Sequence, residues 1–191
     1  MNMLTDSHDA VTADWAAALL DFWFNHVGEE GWWAHDPGLD QECAARFHGL
    51  WSEKQGLAPE AFLERADDAL AAVLLFDQLP RNMFRDTARA LATDELARTV
   101  ARGAIAHGYD IQIGGAGRLF FYMPFQHSED LEDQKLSLSL FEAADDASSL
   151  EFAKKHYAVI QRFGRFPHRN AALGRKTLPG EELAAQTGAD W

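Results

Sequence analysis

PEAFLERADDALAAVLLFDQLP, residues 59–80, decides the reading of the fold. Pro59 suits the first turn of a helix, where its missing N–H would have no partner in any case. Phe62, Ala66, Ala69, Leu70, Val73 and Leu74 then recur at helical spacing and face inward together. The pattern is that of a buried-type helix, expected to stop before Pro80.

Outward from this stretch the same period recurs. Upstream, Thr12 and Asp14 are N-cap residues for a helix carrying Trp15, Leu19, Phe22 and Trp23, ended by Gly28 and Gly31. A loop with Trp32, Trp33 and Pro37 follows, and Asp40 is placed to cap a helix bearing Cys43, Phe47, Leu50 and Trp51 that Gly56 closes. Downstream, Thr93 caps a helix to His107 with Leu96, Val100 and Ala104 on one face and Gly108 after it. IQIGGAG, residues 111–117, reads as a flexible loop, and a short apolar helix from Arg118 to Met123 meets Pro124. Ser128 opens a helix with Leu131, Leu138 and Phe141, and Ser148 or Ser149 starts another with Phe152, His156, Val159, Ile160 and Phe163 up to Gly164. Short helical pieces follow Pro167 and Pro179, and no β-alternation interrupts the series. The expectation is an all-α fold of about eight helices, mostly about 10 to 18 residues long, packed as antiparallel hairpins with no sheet. No 34-residue repeat accompanies them.

The 191 residues suit a single helical domain over 1–191, in which about 70% of the unfolded chain's surface can be buried, with residues 1–10 disordered or loosely attached. Apolar residues form 47% of the chain, including six Trp and thirteen Phe, which excludes a disordered protein and leaves room for an apolar patch covered in a homo-oligomer. No run is long and apolar enough for a membrane span, and MNMLTDSHDA lacks the basic and apolar regions of a signal peptide, so a cytoplasmic location is expected. A net charge of −13 argues against nucleic acid and anionic membranes as partners. Cys43 is the single cysteine and reads as core. The charge is uneven: Lys154, Lys155, Arg162, Arg165, Arg169, Arg175 and Lys176 lie in a stretch without Asp or Glu.

Three segments concentrate polar chemistry at helix breaks. In FDQLPRNMFR, residues 76–85, Asp77, Gln78, Arg81, Asn82 and Arg85 surround Pro80, and Arg81 and Arg85 are spaced to form a fork for a carboxylate or phosphate. The plainer reading pairs Asp77 with Arg81 and gives Asn82 to a backbone turn. In FFYMPFQHSEDLEDQ, residues 120–134, His127, Ser128, Glu129 and Asp130 follow Pro124, and His127 beside carboxylates and aromatics suits a general base. Its plainer role is a bond to a helix-end carbonyl. RFGRFPHRN, residues 162–170, holds Arg165, His168, Arg169 and Asn170 between Gly164 and Pro167, a set fitted to an anion or else to an ion-pair network with Asp77, Glu129 or Asp130. GGAG at residues 114–117 precedes no Lys-Ser/Thr pair, so no nucleotide cofactor is expected. No second histidine stands at ligand spacing from His127, so no metal is expected either. Trp32 and Trp33 are placed to line a pocket mouth or to pack on a bundle.

These segments, with LLDFWF at residues 19–24 and the Trp32–Trp33 pair, resemble an uncharacterised, largely bacterial family known only as a domain of unknown function. The resemblance runs from about Leu19 to Arg175, and it implies a tetratricopeptide-like all-helical fold without supplying a catalytic residue or cofactor. Three functions remain open. The foremost is a binding protein whose pocket holds a small anionic metabolite or peptide carboxylate through Arg81, Asn82, Arg85, Arg165, Arg169 and Asn170. The second is a hydrolase or other acid–base enzyme using His127 or His168 with Asp77 or Glu129. The third is a structural or oligomeric protein whose polar motifs are internal networks.

Overall fold

The computed structural model describes residues 15–186 of the chain, and among these residues the fold is all helical with no strand. Residues 1–10 and the expected caps Thr12 and Asp14 lie outside the described residues. α1 (Trp15–Asp21) continues through a π-helical turn (Phe22–Val27) into α2 (Gly28–Trp32), followed by α3 (Pro37–Lys54). α4 (Ala66–Val73) continues through a second π-helical turn (Leu74–Gln78) into α5 (Leu79–Met83). α6 (Asp94–Ala106), α7 (Tyr109–Ile113), α8 (Gly115–Phe120) and α9 (Met123–Gln126) follow. The longer α10 (Leu131–Ala143) and α11 (Ala147–Phe163) form a hairpin, and α12 (Glu182–Gln186) comes last.

α4 and its continuation are the axis of the molecule. Residues Ala69 to Pro80 are buried without interruption, and α1, α6, α7 and α8 pack around α4 while α3 packs on α5. A helix covered on every side needs apolar residues on every side, which Ala71, Ala72, Val73, Leu75 and Phe76 provide. Phe22, Trp23, Phe47, Trp51, Phe120, Phe125 and Phe141 complete the core around it. No helix among the described residues is long and apolar enough to cross a membrane.

The helix does not stop before Pro80. It loosens into a π-helical turn just ahead of the proline and runs on to Met83. Pro80 has no N–H for the carbonyl of Phe76, its partner in a regular α-helix. That carbonyl is met from another element instead: the Thr93 hydroxyl donates to it at 2.7 Å, and Trp51 Nε1 donates to Thr93 Oγ at 3.2 Å. Thr93 stands at the N-cap position of α6 but makes no capping bond: its hydroxyl donates to Phe76 and accepts from Trp51.

Other boundaries move for equally local reasons. Pro59–Phe62 is a separate 3₁₀ turn, and α4 begins at Ala66. Asp36 rather than Asp40 caps α3, since Pro37 takes the first helical position and the Asp36 carboxylate accepts from Gly38 N–H at 2.7 Å. Asp130 and Asp146 cap α10 and α11 in place of the neighbouring serines. The supposed loop at residues 111–117 is mostly helical, split at Gly114 (φ +63°). Gly117 is needed there for packing: a Cβ at this position would stand 2.5 Å from Ile113 Cγ2 and 3.2 Å from Leu70 Cδ2, so glycine lets α8 lie close on α4.

Replacing Thr93 by Val keeps the shape and removes the donor to Phe76. The expected loss is about 1–3 kcal/mol, the cost of leaving a buried carbonyl unsatisfied. Urea unfolding of Thr93→Val measures it, and an unchanged midpoint would show that the carbonyl has another donor.

Candidate functional site

The segments around Pro80, Pro124 and Pro167 meet. Asp77, fully buried on the central helix, accepts a hydrogen bond from His127 Nδ1 at 2.8 Å. Arg81, one turn on, lies 3.3 Å from the same carboxylate and also donates to the Asp77 backbone carbonyl. Its two terminal nitrogens reach Asp94 at 3.0 and 3.1 Å, a paired contact with the start of α6. From the third segment Arg169 donates to the His127 carbonyl at 2.9 Å, comes within 3.9 Å of Asp94, and lies over the Phe166 ring at 4.4 Å. Two carboxylates and two guanidinium groups therefore form a cluster of zero net charge, with His127 at its edge.

Burial alone would raise Asp77, but Arg81 and His127 outweigh it and hold the carboxyl below its usual range. The ionised carboxylate accepts a hydrogen bond from Nδ1–H, which leaves Nε2 of a neutral His127 as the ring's acceptor. Burial, opposed by Asp77 and reinforced by Arg81, pushes the imidazole below its ordinary value, so it is neutral at pH 7. Burial together with the Arg81 charge likewise lowers Arg169 to about 10.

The remaining predicted residues stand in two other networks. Arg85 and Asn82 both bind Asp40 on α3, Arg85 at 2.7 Å through two nitrogens and Asn82 at 2.9 Å, so Arg81 and Arg85 do not form a fork. Arg165 pairs with Glu181 at 2.8 and 2.7 Å, and Asn170 donates to the same carboxylate at 3.1 Å. Hydrogen bonds from Arg165 hold Glu181 down at about 2. Glu129 receives Arg175 at 2.6 and 2.9 Å and the Phe166 N–H at 2.8 Å, which tie the turn before α10 to the last segment. The guanidinium and amide groups expected to hold an anion are thus engaged with the chain's own carboxylates and carbonyls. His168 packs by Phe166, and burial beside Arg169 lowers it to about 4.

His127 also lines a cleft of about 640 Å³ between α2, α8, α9 and the start of α11. Trp32, Trp33 and Phe152 form its aromatic wall, Met123 and Gln126 share its floor with His127, and His156 stands beside them with its ring 6.4 Å from that of His127. His156 Nδ1 donates to the Phe152 carbonyl at 2.9 Å, and burial pushes this imidazole down to about 3. Glu29 and Asp146 also line the cleft; Asp77 is behind His127, and His168, Glu129 and the predicted arginines are not part of its lining. Among the described residues no group of His, Cys, Asp or Glu is arranged to hold a metal.

Sequence reasoning missed Asp94, His156, Phe152 and Glu29. Asp94 looks like an ordinary acidic residue in a helix's first turn, and His156 and Phe152 fall on the apparent apolar stripe of α11. Phe152 is in fact 46% exposed. Only the pairing of Trp32 with Trp33 after two glycines hinted at a pocket mouth, and both residues line the cleft.

The fold and the cleft define a helical protein built around a buried Asp–His pair. The chain belongs to the family described as bacterial protein of unknown function (DUF924), whose model matches residues 19–188. A solved structure from Agrobacterium tumefaciens, the protein of unknown function ATU0120, is similar to it at 39% identity and a TM-score of 0.86, over 93% of this chain and 99% of that one. Comparison with curated proteins returned no match.

Three histidines, His127, His156 and His168, are held below their ordinary value in the fold. The unfolded chain binds their protons first, near pH 6.5, so the stability they carry is complete above that pH and falls as pH drops toward the folded values. Urea midpoints should therefore decline from pH 7 to pH 5, with a shallower decline in His156→Gln. Midpoints independent of pH over that range would contradict the buried neutral state.

Proposed function

We propose that this protein is an acid–base enzyme in which His127 is the general base and Asp77 the residue that orients it. The observation that carries the reading is the 2.8 Å bond from His127 Nδ1 to the buried Asp77 carboxylate, on a histidine that lines a cleft of about 640 Å³. A carboxylate in this position fixes the tautomer and stabilises the imidazolium formed when Nε2 accepts a proton. A water or a substrate hydroxyl held in the cleft would be the proton donor. Gln126 and the neutral His156 are polar neighbours able to position it.

The anion-binding reading is weaker because it needs arginine donors facing the ligand. Arg81, Arg85 and Arg165 are each paired with a carboxylate, and Arg169 serves the His127 carbonyl. A tetratricopeptide-like stack of hairpins remains the proposed scaffold, supported by α10 and α11 packing across the short turn at residues 144–146.

A panel of ester, amide, phosphoester and lactone substrates, assayed with wild type and His127→Gln, tests the assignment. Loss of the base should lower turnover by roughly 10²–10⁴-fold. The wild-type rate should rise with pH along a limb centred below 6.5, because the neutral imidazole is the active form and burial lowers its value. Activity indifferent to His127→Gln would remove His127 from the mechanism.

A further inference from the structure

The lining of the cleft constrains the charge of what enters it. Two of its residues, Glu29 and Asp146, are acidic, and none is Lys or Arg. Asp146 is partly committed, since its carboxylate accepts the Ser149 N–H at 2.8 Å. The Glu29 side chain makes no hydrogen bond or ion pair with the described residues.

The aromatic wall has the same preference. Trp32 and Trp33 meet edge to face, with ring centres 6.2 Å apart and planes at 86°, so their indole faces point in different directions. Trp32 is fixed by a 2.8 Å bond from its Nε1 to the Trp23 carbonyl, whereas Trp33 is 62% exposed. The negative face of an indole attracts cations, most strongly when water is partly excluded. Phe152 on the same wall already has the Lys155 ammonium 5.0 Å from its ring centre. Neither His127 nor His156 adds a repelling charge at neutral pH, and the chain's net charge of −13 draws cations toward it.

We propose that the cleft binds an organic ammonium ion with an apolar body, its charge held by Glu29 and the faces of Trp32 and Trp33. The inference rests on the cleft being the working site and deepens that reading by naming the substrate class.

Binding tests it without any assay of turnover. Benzyltrimethylammonium, its neutral isostere neopentylbenzene and the anion phenylacetate are titrated into the full chain and followed by ¹H–¹⁵N NMR, with the indole N–H signals as reporters. The cation should bind about ten-fold or more tightly than the neutral isostere, and phenylacetate more weakly still. Glu29→Gln and Trp33→Leu, both at exposed positions, should each weaken the cation by several-fold, and Glu29→Gln should leave the neutral probe unchanged. Equal or tighter binding of neopentylbenzene or phenylacetate, absence of saturable binding by the cation, or indifference to Glu29→Gln would overturn the proposal. Cation binding without His127-dependent turnover would instead count against the acid–base assignment alone, and His127-dependent turnover with anion preference would count against the cation alone.

Discussion

A carboxylate cut off from water must be answered by charge and hydrogen bonds from the protein itself, and Asp77 is such a carboxylate on the most buried helix among the described residues. Its partners come from the same helix, from the turn after α9 and, through Asp94 and Arg169, from α6 and the last segment. Arg81 answers the charge from the same helix, and His127, Asp94 and Arg169 bring three further elements to that point. Removal of one ion from such a set strands its partner, a cost of about 3–5 kcal/mol in buried pairs. The cluster is therefore a condition of the fold as well as the support of His127.

The outer networks divide the labour differently. Asp40 with Arg85 and Asn82 fastens α3 to the end of α5, while Glu129 with Arg175, and Glu181 with Arg165 and Asn170, fold the last segment onto the body. They explain how an acidic chain uses a stretch rich in arginine: the cations are staples. The cleft offers a ligand imidazoles, carboxylates, the Gln126 amide and the Ser148 and Ser149 hydroxyls against an aromatic wall.

Much of this was legible in the sequence, and for physical reasons. The apolar period of residues 62–74 marked the central helix, and polar residues gathered at Pro80, Pro124 and Pro167 marked where elements meet, because a proline or a helix end leaves backbone groups that need partners. Asp77 with Arg81 was readable from their four-residue spacing. The partner of His127 was not, since fifty residues separate it from Asp77. Asn82, which the sequence offers either to a ligand or to its own turn, reaches Asp40 across the fold. Thr93 was read as a cap because a cap is what local sequence can show; its real partner, the Phe76 carbonyl, exists only because Pro80 stays inside a helix. Phe152 and His156 kept helical spacing yet face a cleft, which periodicity cannot distinguish from a core.

The π-helical turn at Leu74–Gln78 has a bearing on how this chain can change over time. Such a turn holds a residue more than the α-helix it interrupts, and each residue of an α-helix turns the chain by about 100°. Dropping one residue between Leu74 and Gln78 would leave backbone bonding more regular, yet it would swing Leu79 to Met83 around the axis and carry Arg81 away from Asp94. The length of this short stretch is consequently under tighter constraint than its individual apolar side chains, which neighbouring packing can absorb one at a time.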